Sequence, residues 1–144
     1  MNKEDIIPNQ IYTTTNLEVL IEVVRKTENI KNSDLLEEDF TVLLADYIFT
    51  KRGMVLVSYG EDKEMNACFV VSRQRDKRGD FLWIDFAWVS SKYPNLHKKY
   101  YEEIMGTCKV KGISRVQMRM RKGFKAMSKL YGVYEIGRIL EGKV

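Results

Sequence analysis

A mixed α/β fold is predicted for this 144-residue chain by three features of its sequence. The first third has helix periodicity, and the middle third has three strand-like runs separated by short turn signals. The last third alternates helix, strand, helix and strand, so crossovers bring parallel neighbours onto an antiparallel meander. The element order read from the sequence is β-α-α-β-β-β-α-β-α-β, an α+β mixed sheet.

Each element has a local reason. Ile6 to Thr13 reads as a short strand, with Pro8 marking an edge or a lead-in. Asn16 is placed to cap a helix from Leu17 to Lys26, on which Leu17, Leu20, Ile21 and Val24 share one face. Ser33 or Asp34 caps a second helix. Glu37 and Glu38 suit its first turn, and Phe40, Leu43, Leu44, Tyr47 and Ile48 form its apolar stripe. Lys51-Arg52-Gly53 ends it. Met54 to Tyr59 and Ala67 to Ser72 are strands about the turn Gly60–Lys63, and Arg75–Asp80 is a charged, exposed hairpin turn. Phe81 to Val89 is almost wholly apolar and reads as a central strand covered on both faces. A helix from Leu96 to about Val110 ends at Lys111-Gly112, and Ser114 to Arg121 alternates as a strand. Phe124 to Tyr131 is a short helix closed by Gly132, and Tyr134 to Leu140 a last strand.

Composition narrows the class. The chain is the size of one domain, expected to span residues 1–144, with an apolar fraction of 44% and a charged fraction of 31%, as in ordinary globular proteins. No apolar run approaches the ~20 residues of a membrane helix, and the polar, acidic start lacks a signal-peptide stretch, so the cytoplasm is the expected compartment. Two cysteines, Cys68 and Cys108, and one histidine, His97, have no metal-ligand spacing, so no metal is expected. Cys68 reads as a small core residue and Cys108 as a free thiol.

Charge is unevenly divided. Residues 1–65 hold 7 Lys/Arg and 13 Asp/Glu, a net of −6, whereas residues 66–144 hold 17 and 7, a net of +10. The C-terminal half is therefore suited to an anionic partner, a protein or nucleic acid with an acidic surface, unless the two halves neutralise each other. Its most distinctive segment is Ser114–Arg121, where Arg115, Gln117, Arg119 and Arg121 alternate with Val116, Met118 and Met120. Arginines at every second strand position form a ridge for phosphates or carboxylates, extended by Lys122 and Lys125. Tyr93, Tyr100 and Tyr101 are candidate stacking surfaces beside it. The alternative is a solvated face, or one paired with Glu37, Glu38 and Asp39.

The order of elements resembles the fold of the Gcn5-related N-acetyltransferases (GNAT) over essentially the whole chain. Ile84-Asp85-Phe86-Ala87-Trp88-Val89 resembles the family's fourth strand, written L-E-D-L-Y-V. Residues 96–110 stand where its pyrophosphate-binding helix stands, and Ala126–Glu135 resembles the outline of its A-x-x-x-Y-E-K-x-G-F tail. The resemblance implies acetyl-CoA as cofactor if the chain is active. The Val89–Ser90 backbone would then hold the thioester, Asn95 cap the helix, and Lys98 and Lys99 grip the phosphates. It implies Asp85 as the base that deprotonates an amine, where the alternative is a structural ion pair with an arginine.

The chain departs from the family in two places. The phosphate loop R/Q-x-x-G-x-G/A is replaced by Tyr93-Pro94-Asn95-Leu96-His97-Lys98-Lys99, which has no glycine to let backbone approach phosphate. Ser128 falls where the family has its tyrosine acid, and serine is a poor acid at neutral pH. The expectation is a degenerate GNAT-fold protein without a cofactor. It would bind a macromolecular partner through its basic face, as viral accessory or virion proteins with such folds would, and in that case reside in the host cytoplasm or virion. The alternative is an active N-acyltransferase. Homo-oligomer formation stays open.

Overall fold

The computed structural model of the chain describes residues 3–28 and 37–118. Strands β1 (Tyr12–Thr14), β2 (Gly53–Tyr59), β3 (Met65–Asp76), β4 (Gly79–Val89) and β5 (Val116–Met118) lie side by side in that order. The first four pair antiparallel; β4 and β5 pair parallel. That reversal follows from the helix between them, α3 (Leu96–Lys111), since a parallel neighbour needs a crossover. The chain thus has the mixed antiparallel and parallel sheet that its sequence predicts. The expected helix at 124–131 and strand at 134–140 lie outside the described residues, as does the expected Ser33/Asp34 cap.

Helices α1 (Leu17–Glu28) and α2 (Glu37–Thr50) precede β2. They cover one face of the sheet over a core of Val23, Leu44, Tyr47, Val57, Cys68 and Val70. Helix α3 covers the other face, with Tyr100, Ile104 and Cys108 against Leu56, Phe69 and Val71. Cys68 and Cys108 are therefore both buried and free, on opposite faces. No described helix is long and apolar enough to cross a membrane.

Several boundaries moved from expectation. The first strand starts at Tyr12, because the chain turns at Pro8 and Asn9, whose φ is 61°. Asn16 does cap α1: its Oδ1 accepts from the amides of Glu18 (3.0 Å) and Val19 (3.3 Å). The buried face of α1 is Val19, Leu20 and Val23, while Leu17 and Ile21 are 71% and 44% exposed. Apolar residues surround most of this helix, so two overlapping stripes compete, and docking on the sheet selects one. On α2, Leu44 and Tyr47 are buried as expected but Ile48 is exposed.

The hairpin expected over Arg75–Asp80 is tighter. Strands β3 and β4 run on to Asp76 and Gly79, leaving only Lys77 and Arg78 between them. Cross-strand ion pairs support this extension: Arg73 and Arg75 both hold Asp80, at 2.5 and 2.7 Å. Gly112, at φ 68°, ends α3 as a left-handed cap, and the amide of Ile113 bonds to the carbonyl of Cys108.

The central strand β4 has a feature the sequence pattern does not announce. Val70 pairs with Phe86 and Val71 with Ile84, so Asp85 is the extra residue of a β-bulge. The bulge reverses the alternation. Leu82 and Ile84 face α3, whereas Phe86 and Trp88 face α1 and α2.

Candidate functional site

The bulge sets Asp85 beside the hydroxyls of Tyr47, from α2, and Ser72, from β3. Burial pushes the Asp85 carboxyl above the ordinary carboxylate range, and the two hydroxyls partly offset this. The compensation is incomplete, since its buried Oδ2 has no hydrogen-bond partner. Tyr47 is itself raised, first by burial; Ser72 lowers it and the Asp85 charge raises it. Ser72 is steadied by Gln74, whose Nε2 donates to its Oγ at 2.9 Å. Tyr47 is packed so closely on Gly53 that a Cβ there would sit 2.6 Å from the Tyr47 Cβ. Among the described residues no arginine pairs with Asp85, so the expected ion pair is replaced by two hydroxyls. This arrangement can accept a proton more readily than an exposed aspartate.

The second part of the site is the end of β4 and the start of α3. Here the backbone is already committed. The Ser90 amide donates to the carbonyl of Asn66 at 2.8 Å, and the Ser90 carbonyl accepts from the amide of Tyr93 at 3.0 Å. Val89 is paired with Ala67. Asn95 occupies the cap position with helical dihedrals and makes no side-chain cap bond, so the expected capping by its side chain is absent. Lys98 points along its own helix to Glu102, 3.9 Å away. The Lys99 ammonium donates to the carbonyl of Asn9 instead of standing free at the helix start.

Lys99 and Ser90 both bond to residues of a polar chain, running from Tyr100 to Asn9, that sequence reasoning missed. The Tyr100 hydroxyl donates to Ser58 Oγ (2.8 Å), and Ser58 donates to Asn66 Oδ1 (2.6 Å). Asn66 Nδ2 donates to Asn9 Oδ1 (2.8 Å). Ser58 and Asn66 are polar residues inside apolar strands, and that was the available signal. Tyr100 is fully buried and stacked on Phe69 at 4.6 Å, so it is no stacking surface for a ligand as first expected. Burial pushes its hydroxyl far above the ordinary tyrosine range.

Arg115 also departs from expectation. It was placed on a ligand-binding ridge, yet its guanidinium holds both oxygens of Asp76 and the carbonyl of Gly79, and lies over the Phe81 ring at 5.2 Å. It braces the β3–β4 hairpin. Among the described residues of this strand, Val116 and Met118 pack on the α3 side, as the alternation expects. Ser128, Arg119, Arg121, Lys122 and Lys125 lie outside the described residues. Among the described residues no three His, Cys, Asp or Glu side chains converge to hold a metal.

No protein-family model matches the sequence, and no curated protein is significantly similar to it. Solved structures do match. A possible acetyltransferase from Clostridium difficile 630 superposes with a TM-score of 0.72 at 17% identity, covering 94% of this chain and 97% of that one. A predicted acetyltransferase from Clostridium acetobutylicum, solved with acetyl-CoA, gives 0.73 at 12% identity over 93% and 95%. An aminoglycoside 6'-N-acetyltransferase from Acinetobacter baumannii gives 0.74 at 12% identity over 94% and 97%. At such identities the likeness concerns architecture alone. With its sheet order, its two-sided helical cover and these neighbours, the chain has the fold of the Gcn5-related N-acetyltransferases.

Proposed function

We propose that this chain is a GNAT-fold binding protein that does not transfer acyl groups and meets an acidic macromolecular partner through the basic surface of its C-terminal half. The observation that carries this reading is the internal commitment of the groups a cofactor would need. The Ser90 amide is bonded to Asn66, and the Lys99 ammonium to the Asn9 carbonyl. A pyrophosphate at a helix start needs free amides and close backbone approach. Helix α3 begins with Leu96, His97, Lys98 and Lys99, and with no glycine among them the side chains stand in the way of that close approach. The net charge of +10 over residues 66–144 supplies the attraction for an acidic partner. Arg119, Arg121, Lys122 and Lys125 are its proposed contacts.

A second reading, acetyl transfer from acetyl-CoA to an amine, is favoured by one observation. The half-buried Asp85 carboxyl, raised and with one oxygen unpartnered, suits a general base. Melting with millimolar acetyl-CoA, CoA or ATP separates the two. A ligand at ~100 times its dissociation constant stabilises the native state by ~2.7 kcal/mol. The binding-protein reading expects no shift, or an equal small shift with all three anions. A shift specific to acetyl-CoA, or measurable transfer to any amine, overturns it.

A further inference from the structure

At the opposite end of the sheet from the start of α3, four cations ring a small cup. Lys51 and Arg52 come from the α2–β2 junction, Arg73 from β3 and Lys111 from the last turn of α3. Its floor is aliphatic, with Met54, Val71 and Ile113. Two of the four cations are tied down: Arg52 pairs with Asp46, and Arg73 with Asp80, at 2.7 and 2.5 Å. Each carboxylate offsets one positive charge, so the net charge of the rim rests on Lys51 and Lys111, while each guanidinium, with five N–H donors, keeps some free for a further acceptor. Lys51 and Lys111 have no acidic partner among the described residues.

The size of the cup limits its occupant. Its volume is about 100 Å³, well below the ~300 Å³ at which pockets begin to enclose a small organic ligand. It has room for one side chain. No aromatic ring lines it, so it lacks the stacking platform on which single-stranded nucleic acids depend. An aliphatic floor inside a cationic rim fits one apolar side chain flanked by carboxylates.

We infer that the cup of Lys51, Arg52, Arg73 and Lys111 docks an acidic protein segment that inserts a single aliphatic side chain onto part-exposed Met54, above buried Val71 and Ile113. This rests on the partner-binding reading above and adds to it a second contact, besides the one proposed at Arg119–Lys125, with its own chemistry. The cup supplies both terms of recognition. Its cations draw the segment in over a Debye length of ~8 Å at physiological salt, and its floor rewards only a segment that presents an apolar residue.

Fluorescence anisotropy tests this with the whole chain and three labelled probes. One is a twelve-residue Asp/Glu peptide with a central Leu, one is the same peptide with Gly in place of Leu, and one is a dT12 oligonucleotide. The Leu peptide is expected to bind about tenfold more tightly than the Gly peptide. Lys51→Glu and Lys111→Glu, each confirmed folded by circular dichroism, are each expected to weaken it about tenfold. Equal affinity for the two peptides overturns the inference, and so does failure of every peptide to bind. If Arg119→Glu/Arg121→Glu abolishes binding while both cup variants retain it, the cup is overturned and the partner-binding reading stands. If dT12 binds more tightly than the peptides and is lost in the cup variants, the cup is a nucleic-acid site and the inference is overturned. Peptide failure together with an acetyl-CoA-specific melting shift overturns both readings.

Discussion

Arg115 grips Asp76 with two hydrogen bonds, Nη1 to Oδ2 at 2.8 Å and Nη2 to Oδ1 at 2.6 Å, and so ties the lead-in to β5 to the tip of the β3–β4 hairpin. This bidentate pair holds the Asp76 carboxyl at about 2, with Arg115 as the first cause. The folded value lies below the ordinary one near 3.9, so the pair's contribution is present above pH ~4 and is lost as pH falls toward 2. Arg115→Ala should move the Asp76 carboxyl up toward the ordinary range, with the Arg78 amide still holding it somewhat below, as read by NMR titration, and reduce the acid sensitivity of the fold.

Asp85 predicts the opposite sign. Its folded-state carboxyl is raised by burial, so the native state binds the proton more tightly than the unfolded chain does. Stability from this group is full below the unfolded value near 4 and declines as pH rises through the folded one. Asp85→Asn should therefore raise the melting temperature at pH 7 and change it little at pH 4. A melting temperature lowered at pH 7 but little changed at pH 4 would mean that the carboxylate is held by a partner that offsets its burial.

The Tyr100 hydroxyl begins a chain of donors that passes through Ser58 to Asn66. Tyr100→Phe removes the first donor and leaves buried Ser58 Oγ without it. A loss of about 1–2 kcal/mol is expected in urea denaturation, with the slope unchanged. The same substitution should leave acidic-peptide binding unaltered, since Tyr100 is fully buried.

Gly53 is the fourth test. A Cβ at this position meets the Tyr47 side chain at 2.6 Å from its Cβ, and Tyr47 is buried against the core and beside Asp85. Gly53→Ala should destabilise by about 1–3 kcal/mol through overpacking. Tyr47→Ala in that background should restore part of the lost fit, a coupling that a double-mutant cycle measures.

Much of the architecture was legible in the sequence because its signals are local. Asn16 sits one residue before an apolar-periodic run and caps it; Gly112 follows the last helical turn and takes the left-handed φ of 68° that only a residue without Cβ adopts cheaply. The run Phe81–Val89 is apolar on both sides and becomes β4, paired on both edges. For the candidate site, the sequence singled out Asp85 by its isolation among apolar residues, and the fold does bury it in part.

What surrounds these residues was settled only by tertiary structure. Asn9 meets Asn66 across 57 residues, Tyr100 meets Ser58 across 42, and Arg115 meets Asp76 across 39. No periodicity encodes such partners. The bulge at Asp85 exchanges the faces of every residue after it, so strict alternation misplaces Phe86 and Trp88. On α1 the choice between two apolar stripes fell to Val19, Leu20 and Val23. Local propensity and capping thus determined which elements form and in what order. Long-range packing, in which one extra residue or one helix rotation changes every contact, determined which side chains became site, brace or core.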